Sequence, residues 1–196
     1  MKLKALTTNC LAIGFLIILH SCQNATTQYQ TGKTTFFDVK TYFKTEIERL
    51  QRDVRQVKKT VIVNGKAEEK TLDNVVFADE LAPFVNSDIN RPAWLDQYNA
   101  LKINGDQRYE LKKDKQLKTK LLSVHFADEA ERPLPEKNGI SFVNSIYVLN
   151  SESSAVTDYT QELKYNALEG YSIESRQKTA LSGEEAVVVK VTFLKN

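Results

Sequence analysis

The sequence predicts an α+β fold: an N-terminal amphipathic helix packed on a curved antiparallel β-meander, with a small helix and hairpin region between them. Three observations predict it. Apolar residues recur at three- and four-residue spacing once, as Phe36, Val39, Phe43, Ile47, Leu50, Val54 and Val57, which is one face of an α-helix. From about residue 98 onward the pattern changes to alternation, the period of a half-buried strand. Glycine-bearing turns then separate the last strands, and links that short join only antiparallel neighbours.

Ahead of the helix the chain opens with a short basic segment carrying Lys2 and Lys4, followed by an apolar run over residues 11–19. A membrane-spanning helix needs about 20 apolar residues, and Thr7, Thr8 and Asn9 stop this run from extending backward. A basic start, a short apolar core and small residues near a cut are the parts of a secretory signal. The sequence Leu19-His20-Ser21-Cys22 resembles the lipobox of bacterial lipoproteins: an aliphatic residue, a small residue immediately before the cysteine, then the cysteine. His20 stands where that family usually has a small or hydroxylated residue. The resemblance implies that residues 1–21 are a signal peptide and that Cys22 becomes the first mature residue, with lipid on its sulfur and a further acyl chain such as palmitate on its amino group. Two chains make a stable anchor where one is marginal. Gln23 in place of Asp looks like outer-membrane traffic, with the domain facing the periplasm. Residues 22–35 are polar and threonine-rich, too poor in apolar surface to offset the entropy of ordering. They read as a flexible tether to a single globular domain, residues 36–196.

Within that domain Thr35, followed by Asp38, makes a candidate helix cap. Asn64-Gly65, between residues 60–63 and 66–71, is a two-residue hairpin signal. Residues 72–86 read as helical, with Val76, Leu81 and Phe84 inward and Pro83 bending or ending the element. Asn104-Gly105 offers a second hairpin turn. Residues 118–126 alternate, with Leu122, Val124 and Phe126 on one side. Residues 140–150 are apolar on both sides. Tyr159, Gln161, Leu163 and Tyr165 oppose Asp158, Thr160, Glu162 and Lys164, and Ser172, Glu174, Arg176 and Lys178 form the wet side of the next strand. Residues 186–194 read as a covered central strand.

Composition narrows the chemistry. Lys2 and Lys4 account for the whole formal net charge of +2, so the domain itself is balanced and carries no general attraction to nucleic acid. The cysteines are Cys10 and Cys22, and the histidines His20 and His125. Past residue 22 no cysteine cluster, disulfide, Cys–His pair or multi-histidine metal site can be assembled. No phosphate-binding glycine motif occurs, and His125 lies within an expected strand beside no nucleophile elbow. The expectation is therefore a protein with no cofactor, no metal and no catalytic residues. Two surface features are candidate contacts. Trp94 beside Arg91 could serve as a ligand platform, although a lone tryptophan more often fills a gap between layers. Lys112, Lys113 and Lys115 could meet anionic headgroups, although edge-protecting lysines have the same look. An acidic, proline-bearing loop covers residues 128–138.

The whole organisation resembles the small outer-membrane lipoproteins of Gram-negative bacteria. A helix against a curved antiparallel sheet is also similar to the lipoprotein-carrier fold, in which such a sheet holds acyl chains. The function expected is a membrane-anchored, non-enzymatic envelope module that binds a protein partner or a glycan, attached to the membrane through lipid on Cys22. The alternatives are a carrier or sensor of an apolar ligand such as lipid and, third, a hydrolase.

Overall fold

In the computed structural model, residues 28–29, 36–103, 105–127, 143–181 and 183–194 are described. Cys22, the signal segment, most of the tether and the loop at 128–138 lie outside them. The fold departs from the α+β expectation. Strand makes up 55% of the described residues and helix 18%, and the molecule is built on a single antiparallel sheet. Nine strands carry it: β2 (Gln56–Val63), β3 (Lys66–Asp73), β4 (Tyr98–Ile103), β5 (Asp106–Leu111), β6 (Thr119–Phe126), β7 (Val143–Ser153), β8 (Thr157–Asn166), β9 (Gly170–Thr179) and β10 (Gly183–Phe193). The two-residue β1 (Gln28–Tyr29) extends one edge against β4.

Strands β4 to β10 follow each other in sequence order, and the β2–β3 hairpin adds beyond β10. The hairpin is therefore not a separate region between helix and meander. It continues the sheet, with Val63 opposite Val187 and Val57 opposite Phe193. Its turn is the expected Asn64-Gly65, and both residues take positive φ, 48° and 85°, as a type I′ turn requires. Asn64 Oδ1 also accepts from the Ala186 amide at 3.0 Å, which locks the turn to β10.

The helices are secondary. Helix α1 (Val39–Asp53) is capped by Asp38, whose carboxylate accepts from the Thr41 amide at 2.9 Å; Thr35, the other residue of the expected cap, lies outside the described residues. It buries Val39, Phe43, Glu46 and Leu50. Helix α2 (Phe77–Glu80) and helix α3 (Ala82–Val85) replace the longer helix expected over 72–86. Strand β3 runs on to Asp73, and Pro83 begins a new helical turn at the N-terminus of α3. Leu81 and Phe84 are fully buried as expected, but Phe77 takes the inward place and Val76 stands 55% exposed.

One face of the sheet carries the core. Phe43 is its hub, with ring centroids 5.0 Å from Phe84, 5.1 Å from Tyr165 and 5.2 Å from Tyr42. Ile146, Leu163, Tyr165, Tyr171, Val191 and Phe193 rise from the strands to meet it. Cover is supplied jointly by α1, α2, α3 and the segment around Ser87 and Ile89, so no single helix makes a layer. Asn150 pins that segment to the sheet. Its amide donates to Ser87 Oγ at 3.0 Å, and its Oδ1 accepts from Thr119 at 2.9 Å.

Candidate functional site

Alternation along β7 to β10 sends every second side chain to the opposite, outer face. Register then lines those residues up in two cross-strand rows. The first runs Ser145, Asn166, Gly170, Thr192, and the second Tyr147, Lys164, Ser172, Lys190. The small residues Gly170 and Ser172 fall on β9, and taller side chains stand on both sides. The outcome is an open groove of about 900 Å³ lined by these eight residues together with Leu168 and Glu169.

Gly170 is fixed for backbone reasons. Its φ is +138°, and a Cβ built on it would lie 1.9 Å from the Val191 carbonyl oxygen, so no other residue fits without moving the strand. The turn at the end of the groove is held from both sides. Asn166 Oδ1 accepts from the Leu168 and Glu169 amides at 2.9 and 3.0 Å. From the core side, Arg49 donates to the Ala167 carbonyl at 2.8 Å and pairs with Glu46 at 2.5 Å. Tyr165 also donates its hydroxyl to Glu46. Burial, with the Glu46 carboxylate adding to it, pushes the Tyr165 and Tyr42 phenols well above the ordinary tyrosine value. Burial and Glu80 do the same to Tyr171. All three stay neutral in the core.

Charges in the groove are unevenly paired. Lys164 lies 3.2 Å from Glu162 and sits over the Tyr147 ring at 6.0 Å. Lys190 is exposed and has no ion-pair partner among the described residues. Burial, then the Glu162 carboxylate, raises the Tyr147 phenol above its usual value, so it is a neutral donor at neutral pH. The lining thus offers hydroxyls at Ser145, Ser172 and Thr192, an amide at Asn166, an aromatic ring and two ammonium groups.

His125 stands beside the groove. Its Nδ1 lies 2.5 Å from Asp106 Oδ1, and its cross-strand partner on the other side is Ser145. Acid, imidazole and hydroxyl therefore share a row, but no hydrogen bond joins Ser145 to His125 among the described residues. The pair is half exposed, with Asp106 anchoring the ring. Among the described residues no three His, Cys, Asp or Glu side chains are placed to hold a metal ion.

The candidates from the sequence sit elsewhere. Arg91 stacks on Trp94 at 4.4 Å, so its own neighbour occupies one face of the indole, and the ring packs on the core edge. Lys112 donates to the Asp96 carbonyl at 2.6 Å, and its amide bonds the Gln97 carbonyl at 2.9 Å. This brings the lysine loop beside the tryptophan turn. Lys115 pairs with Asp114 at 3.1 Å, and Lys113 is exposed. This cluster lies at the end of the strands where β6 begins and β7 finishes, opposite to the groove. Sequence reasoning missed the groove. Lys164 and Ser172 were legible as a wet side, but only register sets them next to Lys190 and Tyr147.

No family model matches this chain, and neither a curated protein nor a solved structure shows significant similarity to it.

Proposed function

We propose that the protein is a lipid-anchored, non-enzymatic binding module of the cell envelope, and that the outer-face groove takes a glycan. The observation that carries this reading is the groove itself: small polar residues form its floor, and an aromatic ring with long side chains forms its walls. Sugars present many hydroxyls and an apolar ring face, and such lining answers both. The anchor rests on the lipobox-like Leu19-His20-Ser21-Cys22. Lipid on Cys22 would hold the domain at the outer membrane, facing the periplasm.

A carrier of apolar ligands finds less support. The sheet face that would hold acyl chains is filled by Val39, Phe43 and Leu50, all at 0% exposure. The test uses full-length protein in detergent on an array of envelope glycans. Binding is expected and should disappear when the floor is filled by Ser172→Trp. An array that retains no protein, or one on which Ser172→Trp binds as well as the parent, contradicts the glycan reading. Cys22→Ser should release the protein from washed membranes, and a variant that stays in the membrane fraction contradicts the anchor.

A further inference from the structure

We infer that the groove selects acidic saccharides, with a sugar carboxylate seated over Ser172 between Lys164 and Lys190. The inference rests on the glycan reading and narrows it. Lys164, Ser172 and Lys190 are successive register partners on β8, β9 and β10. The two lysine backbones are therefore about two strand spacings, roughly 10 Å, apart. Lys190 reaches inward on its flexible stem over the short Ser172 side chain, so a carboxylate there meets its ammonium and the serine hydroxyl; Lys164, turned toward Tyr147 on β7, swings back to join them when the ligand binds.

Two cations, Lys164 and Lys190, and one carboxylate, Glu169, line the groove. Lys164 is already engaged by Glu162 at 3.2 Å, which holds its head near the Tyr147 ring. Lys190 carries no such partner among the described residues, so it is the cation whose charge a ligand would neutralise. Around them, Ser145, Asn166 and Thr192 offer the neutral hydrogen bonds that sugar hydroxyls need.

The experiment compares one skeleton with and without its charge. Detergent-solubilised full-length protein is titrated calorimetrically with a short oligogalacturonate, with the methyl ester of the same oligomer, and with vesicles containing phosphatidylglycerol. The free acid should bind about tenfold more tightly than the ester and weaken as salt rises. Lys190→Gln should remove that preference, so that acid and ester bind this variant equally, and Lys190→Arg should keep it. Equal binding of acid and ester overturns the acidic preference and leaves the glycan reading standing. Binding of neither oligomer overturns both. Vesicle binding that depends on Lys190, with both oligomers ignored, assigns the site to a lipid headgroup and overturns the inference.

Discussion

The two faces of strands β7 to β10 are made by the same stretch of chain and do different work. On the inner face Ile146, Tyr165, Tyr171, Val191 and Phe193 are closed off by the helices and their connecting segment. On the outer face their immediate sequence neighbours Ser145, Tyr147, Lys164, Ser172, Lys190 and Thr192 line an open groove. The inner face is satisfied within the molecule, since its tyrosine hydroxyls reach Glu46 and Glu80. The outer face keeps donors free and, in the groove, holds Lys190 without an ion-pair partner among the described residues. If the outer face binds as proposed, residues that stabilise and residues that recognise alternate, and a substitution should touch one property or the other according to its parity along the strand.

The largest expected effect lies at Gly170, which serves both faces. Gly170→Ala forces a Cβ toward the Val191 carbonyl at a backbone angle that L side chains rarely adopt. We expect a loss on the order of 4 kcal/mol in denaturant unfolding, together with loss of ligand binding. On the inner face, Glu46→Ala leaves Arg49 and Tyr165 without their shared partner. Breaking this partly buried network should cost about 2 kcal/mol, measured by the same unfolding experiment, while a fully folded sample keeps its affinity. Glu46→Gln should cost less, because it still hydrogen-bonds.

A pH series separates the faces in another way. Burial raises the phenols of Tyr42, Tyr98, Tyr165 and Tyr171 above the ordinary tyrosine value of about 10. Below that value both folded and unfolded chains hold these protons. Above it the unfolded chain releases them first, so stability falls as pH rises beyond about 10. The unfolding midpoint should drop across that window, and Tyr165→Phe should flatten the drop. The smallest effect is expected on the outer face, where Lys190→Gln should change stability by no more than about 0.5 kcal/mol, read as an unmoved thermal midpoint.

The same alternation explains what the sequence could tell. Local signals were readable: the helical spacing of Val39, Phe43 and Leu50, the Asn64-Gly65 turn, and the two-residue period of β8 and β9. Helix α1 begins later than the apolar spacing from Phe36 suggested, because the Asp38 carboxylate reaches the Thr41 amide and caps it there. Long-range pairing was not readable. Asn64 and Ala186 are 122 positions apart, and their contact turns an expected separate hairpin into part of one sheet. The charged sequence of β3, all but Leu72 exposed, gave no hint of the strand it joins. The groove depends on register across four strands, so none of its residues was marked by motif. Trp94 and Lys112 drew attention by rarity and charge, which report composition and not placement.

The central claim is that recognition belongs to the outer face of β7 to β10, and amide chemical-shift mapping tests it most directly. Isotope-labelled protein is titrated with the oligogalacturonate. The account expects the largest shifts at Tyr147, Lys164, Ser172 and Lys190, with little change at Trp94 and Lys112. Shifts concentrated at the Trp94–Lys112 end, with the groove silent, would contradict it.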